Sequence, residues 1–137
     1  MWVVYALLAA LFASLTTILA KVGLKGLDSN VAVAIRTGIV LVMAWIVVLV
    51  AGGTDKLRDL NRTHILFLTL SGIATGLSWL FYFKALQMGQ VSRVAPLDKF
   101  SIVLTIIMGV VFLHEPLTAK IVIGGVLITA GTLVMVL

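Results

Sequence analysis

Cysteine is absent from the 137 residues, which excludes disulfide bridges, thiolate metal sites and cysteine nucleophiles. Charge is scarce as well. Charged residues make up 11% of the chain, less than half of the roughly 25% usual in soluble domains. A surface that faces water cannot be built from so little charge. Only five Asp or Glu and two His are present, and His64 and His114 fall at the ends of apolar blocks, so no metal site is expected. There is no phosphate-binding glycine loop and no nucleophile–base pair. ATP hydrolysis by this chain is therefore excluded, and neither enzymatic activity nor a cofactor is expected.

What the chain does have is hydrocarbon. Hydrophobic residues reach 62%, and the mean hydropathy is +1.25. A helix needs about 20 apolar residues to cross a bilayer core about 30 Å thick, at about 1.5 Å per residue. The length therefore allows five or six spans with short loops and leaves no room for a domain outside the membrane. The net charge of +5 gathers at the block ends, where Lys and Arg anchor helices in the headgroup layer. No basic patch with interleaved aromatics points to nucleic acid. The chain opens Met-Trp-Val-Val-Tyr, without a basic leader, and the first apolar run is too long for a signal peptide. It reads as a retained helix.

Five apolar blocks follow one another, at about 2–20, 31–51, 64–83, 95–113 and 119–137. They are apolar on all faces, so helices are expected rather than barrel strands, which alternate in polarity. The fold class is an all-α membrane bundle of five helices in one domain over residues 1–137. Ser29 or Asn30 is the expected cap of the second block, Thr63 of the third and Thr118 of the fifth. Lys84 is expected to close the third helix. Pro96 suits the first turn of the fourth, where its missing N–H costs nothing. The polar stretch from Gly52 to Arg62 reads as a loop with room for one amphipathic turn.

Charge inside a block needs a reason, because an Asp, Lys or Arg at a helix centre costs roughly 2.5–3.5 kcal/mol. Arg36, Asp98 and Lys99 lie in this position. The second and fourth blocks start on the same face of the membrane, and Arg36 and Asp98 sit about five and three residues into them. Thr16, Thr17, Tyr82, Lys84 and Ser101 join them in one polar layer. Arg36 and Lys99 have stems long enough to reach the interface. Asp98 does not, so an ion pair with Arg36 or Lys99 is expected, and the same carboxylate is a candidate for contacting substrate or a coupling ion. The pathway candidates are Asp98, Arg36, Lys99, Tyr82, Trp79 and Ser101. Trp79, Phe81, Tyr82 and Phe83 otherwise read as an interfacial aromatic belt. Ser71, Thr75 and Ser78 share one face of the third helix, suited to hydrogen bonds between helices. The Gly72–Gly76 pair should bring two backbones together. Gly125, Thr129 and Thr132 form a similar face on the last helix.

Two stretches resemble a known family. Tyr82-Phe83-Lys84-Ala85-Leu86-Gln87-Met88-Gly89-Gln90-Val91-Ser92-Arg93-Val94-Ala95-Pro96 resembles the approach to the fourth helix of EamA-type proteins of the drug/metabolite transporter superfamily. Phe112-Leu113-His114-Glu115-Pro116-Leu117-Thr118, followed by Gly124-Gly125-Val126-Leu127-Ile128-Thr129-Ala130-Gly131, is similar to that family's acidic turn and last helix. Glu115 matches the turn carboxylate, for which a structural part in the turn is expected. Typical members carry two such repeats in about ten helices, whereas this chain holds one, with Asp98-Lys99 where many members are uncharged. That resembles the short five-helix bacterial and archaeal branch.

The resemblance implies a small secondary transporter in a cell membrane, a prokaryotic inner membrane, exporting a small metabolite or drug-like compound. The alternatives are a non-transporting membrane subunit and half of a lipid-carrier flippase. Alternating access commonly uses two inverted repeats, so a homodimer is expected, preferably antiparallel. Charge bias fits that expectation. One face carries Lys56, Arg58, Arg62 and Lys120, and the other Lys21, Lys25, Lys84 and Arg93, to which Arg36 and Lys99 add if they snorkel. So small a bias sets orientation weakly. A fixed orientation with a separately encoded partner is the other possibility.

Overall fold

The computed structural model describes residues 1–137. It contains α1 (Trp2–Gly23), α2 (Ser29–Val50), α3 (Arg62–Met88), α4 (Val91–Asp98), α5 (Ser101–Leu113) and α6 (Ala119–Val136), with a 3-10 helix over Gly53–Asp59. These make five segments long and apolar enough to cross a membrane, α4 and α5 together forming the fourth. The residues group into two compact bodies, Ala20–Gln87 and Met1–Leu19 with Met88–Leu137, described separately below.

The exposure pattern is that of a protein whose solvent is lipid. Side chains such as Leu41 at 58%, Phe67 at 64% and Leu127 at 66% exposure lie in the middle of their spans. Hydrocarbon accepts them at no cost, and the backbone polar groups are satisfied inside each helix.

The helix ends show what the sequence pattern obscured. Asp28 caps α2 in place of Ser29 or Asn30: its backbone is extended, and its Oδ1 accepts from the N–H groups of Asn30 and Val31 at 2.9 and 3.3 Å. Ser29 is buried instead. Asn61 takes the place assigned to Thr63, with its Oδ1 accepting from the His64 N–H at 2.9 Å. Thr118 does cap α6, accepting from the Ile121 N–H at 3.3 Å. In each case the side chain serves backbone donors that the helix itself leaves unpaired.

Helix α3 continues past Lys84 to Met88. Ala85, Leu86, Gln87 and Met88 are all good helix formers, and Leu86 is completely buried. The connection to α4 is consequently only Gly89 and Gln90.

The largest departure concerns the fourth span. Pro96 is the sixth residue of α4, not in its first turn, because the helix starts at Val91. A proline there offers no N–H to the carbonyl four residues back and crowds it. The helix stops two residues later. Phe100 N–H donates to Leu97 O at 3.0 Å and Ile102 N–H to Lys99 O at 3.0 Å, a tightened 3-10 joint, before α5 starts at Ser101. One predicted helix is two, with Lys99 and Phe100 at the joint.

Candidate functional site

In the Ala20–Gln87 body, the end of α1, the following loop, the start of α2 and the end of α3 pack together. Leu24, Ser29, Val33, Phe83 and Leu86 are all buried there. Two side chains tie the loop and helix ends by reaching backbone carbonyls. The Lys21 ammonium, in the last turn of α1, donates to Leu86 O. The Gln87 amide donates to Leu27 O at 2.7 Å. Such clamps bring side-chain donors to carbonyls at a helix C-terminus and in a turn, where the helix ladder runs out.

Arg36 belongs to this body. It is the eighth residue of α2, about 10 Å from the helix start at about 1.5 Å per residue, deeper than the sequence pattern suggested. Its guanidinium lies over the Trp79 ring at 4.1 Å and near the Phe83 ring at 5.3 Å. Trp79 and Phe83 are four apart on α3 and so share one face. Tyr82 packs beside Phe83 with ring centroids 6.4 Å apart. The Arg36 Nη1 is buried with no hydrogen-bond partner. A cation over an aromatic face gains about 0.5–2 kcal/mol, short of the roughly 2.5–3.5 kcal/mol that a charge costs at mid-helix. The aromatic belt therefore divides. Phe81 is 74% exposed as a belt residue should be, whereas Phe83 is 3% exposed and Trp79 supports the cation. Sequence reasoning placed Arg36 and Trp79 among the candidates but missed Phe83. The signal was available in the i, i+4 spacing of Trp79 and Phe83 on α3, which puts both rings on one face.

In the other body, Asp98 ends α4 and Lys99 follows it at the joint. Asp98 is also the eighth residue of its span, again about 10 Å along it, rather than three residues in. Its Oδ2 lies 3.5 Å from the Lys99 Nζ. Sequence neighbours do not face each other on a regular helix, and the joint is where these two can meet. Ser101 opens α5, and its carbonyl accepts from the Thr105 hydroxyl at 2.8 Å. The Thr132 hydroxyl of α6 donates to Pro96 O at 3.4 Å, joining α6 to α4 just before the joint. Gly125 lies beside Ile106: a Cβ there would meet the Ile106 Cδ1 at 4.0 Å, an ordinary contact distance.

Glu115 folds back on α5. His114 takes a left-handed conformation with φ 54°, and both its N–H and that of Glu115 donate to Gly109 O. The carboxylate then lies against Gly109, where a Cβ would come within 3.1 Å of Oε2. A side chain at 109 would require the Glu115 carboxylate to shift by a few tenths of an ångström.

Two expectations for small residues are not met within the chain. A Cβ on Gly72 or Gly76 would meet nothing within 4 Å, so this pair draws no backbone of the chain close. The Thr75 hydroxyl donates to Ser71 O of its own helix at 2.9 Å rather than to another helix. No group of His, Asp or Glu side chains is placed to hold a metal ion.

Five apolar spans, one of them broken beside an ion pair, define a multi-pass integral membrane protein. The chain belongs to the EamA-like transporter family, whose family model matches residues 1–137. A protein of Sinorhizobium sp., described as an uncharacterized transporter in the cobO 3' region, is 46% identical over 134 residues, covering 98% of this chain and 95% of that protein. No solved structure matches. The protein is thus a membrane transporter of the EamA type.

Proposed function

We propose that this protein is a small secondary transporter that exports a small metabolite or drug-like compound by alternating access, working as a homodimer. Family membership and the relative's description support transport in general. The observation that carries the finer reading is the break in the fourth span between Asp98 and Ser101. Discontinuous helices near the bilayer midplane are a recurrent way for transporters to offer backbone groups and charge to substrates and ions. Irregular backbone at that depth persists only where protein or a water-filled cavity surrounds it. Asp98, Lys99 and Ser101 are the pathway candidates at the break, and Arg36, Trp79 and Tyr82 are those of the Ala20–Gln87 body.

A single repeat does not contain the inverted pair that alternating access commonly uses, so a second copy, preferably antiparallel, supplies it. The energy source is an ion gradient, protons first among the candidates. The test is flux from liposomes containing the purified protein, with and without an imposed pH gradient. The compounds tested are those that stabilise the protein in a ligand screen. Gradient-dependent flux that Asp98→Asn removes supports the reading. Wild-type flux in that variant, with unchanged melting, contradicts the part assigned to Asp98.

A further inference from the structure

The Arg36 guanidinium has five N–H donors, and its Nη1, which carries two of them, is buried with no hydrogen-bond partner in the chain. Its Cζ lies 4.1 Å from the Trp79 ring centroid and 5.3 Å from that of Phe83. A guanidinium held against aromatic rings still has N–H donors in its own plane, in the fork that matches a carboxylate or phosphate. No carboxylate of the Ala20–Gln87 body answers it. The Asp28 Oδ1 is occupied by two backbone N–H groups at the start of α2. Asp55 and Asp59 lie in the 3-10 helix beyond the other end of α2, about 20 Å further along at about 1.5 Å per residue. Phe83 is 3% exposed, so the aromatic platform is held by packing. An Arg that merely snorkelled would extend toward water along its stem, whereas this one is fixed against α3.

We propose that Arg36 on its Trp79–Phe83 platform is a recognition point for an oxyanion carried on an apolar body, either a carboxylate or a phosphate. This deepens the transport reading by naming a substrate class, and rests on it for turnover but not for binding. The anion neutralises the cation within the span, and its apolar part remains among side chains that already face hydrocarbon. A soluble organic acid and the headgroup of an anionic lipid share this chemistry.

The test is thermal melting of the purified full chain in neutral detergent micelles. The soluble probes are phenylacetate and phenyl phosphate, against phenethylamine and phenylacetamide, which keep the ring and change the charge. Phosphatidylglycerol against phosphatidylcholine, added to the micelles, probes the lipid source. The proposal predicts that at least one anion raises the melting temperature by about 3 °C or more at saturation, with the amine, the amide and phosphatidylcholine inert. Arg36→Gln removes that response. Arg36→Lys keeps the charge but loses the fork and the stack, and weakens binding about tenfold or more. A response to phenylacetate or phenyl phosphate assigns the site to soluble anions. A response to phosphatidylglycerol alone supports the oxyanion site and assigns it to a lipid headgroup. Equal stabilisation by the amine or amide overturns the proposal, as does the absence of any anion response or an undiminished response in Arg36→Gln. Should Arg36→Gln not fold, the wild-type charge series and Arg36→Lys decide alone. Liposome flux separates the two readings. Flux without an anion response removes this site and leaves transport standing, and an anion response without flux does the reverse.

Discussion

The two halves of this small protein are held by different means. Around the end of α3, five side chains are buried together, and Lys21 and Gln87 fasten carbonyls of Leu86 and Leu27. From Met88 onward only Gly109 and Thr132 are buried, while α6 packs on α4 and α5, with the Thr132 hydroxyl on Pro96 O and the Glu115 carboxylate against Gly109. Lipid tails are as apolar as leucine, so burying apolar surface contributes little to holding spans together, and close packing and polar links carry the structure instead. The first region uses both. The second packs α6 on α4 and α5 with few side chains buried, and it contains the broken helix. Segments that rearrange are drawn from the less stable parts of a fold, and the break makes the joint at Lys99–Phe100 the place where movement is expected, with Ala20–Gln87 expected to stay rigid.

The comparison can be broken at either end. The largest expected effect is on activity: Asp98→Asn lowers gradient-driven flux at least tenfold. The same change leaves Lys99 without the carboxylate 3.5 Å from its Nζ, so the melting temperature is read beside the flux to separate a lost pathway group from a lost ion pair. Flux assays and calorimetry on the same preparation check both parts. Next is Leu86→Ala, which empties the best-packed site in the protein. Core Leu→Ala changes cost about 2–5 kcal/mol, and the absence of a water-driven term in lipid places this one at about 2 kcal/mol. The corresponding change at Leu127, 66% exposed, is expected to be near neutral, and chemical denaturation in micelles compares the two.

Smaller effects belong to the helix ends. Asp28→Ala removes a cap that serves two N–H groups and costs about 1 kcal/mol, which loosens the rigid region at the start of α2. Amide exchange at Asn30 and Val31 reads it directly. His114→Gly works in the other direction. A left-handed residue with a side chain is strained by about 1–2 kcal/mol, part of which glycine recovers and part of which it returns as chain entropy. A gain of about 0.5 kcal/mol is expected, visible as a slightly higher melting temperature.

The number, order and approximate depth of the spans were legible because twenty-residue apolar runs are a strong and redundant signal. The local details depended on competition between neighbours, and pattern alone could not settle it. Asp28, Ser29 and Asn30 are all good caps, and the choice of Asp28 follows from the burial of Ser29. Pro96 fits a first turn, but Val91 to Ala95 had five residues of helix to add before it. The candidate charges Arg36, Asp98 and Lys99 were found because charge in hydrocarbon always needs explaining. Their partners were less visible. The Arg36 platform depends on the i, i+4 spacing of Trp79 and Phe83, which had read as part of an interfacial belt. Gly72 and Gly76 carried the strongest packing motif, yet nothing of the chain approaches them.

The central claim is that a second, inverted copy completes the transporter, and orientation tests it most directly. Two reporters fused in turn to Leu137, one active only in the cytoplasm and one only outside it, are compared in cells expressing the chain alone. The account predicts comparable signal from both, as the balanced Lys and Arg content of the two faces implies. Signal from only one reporter contradicts the antiparallel homodimer.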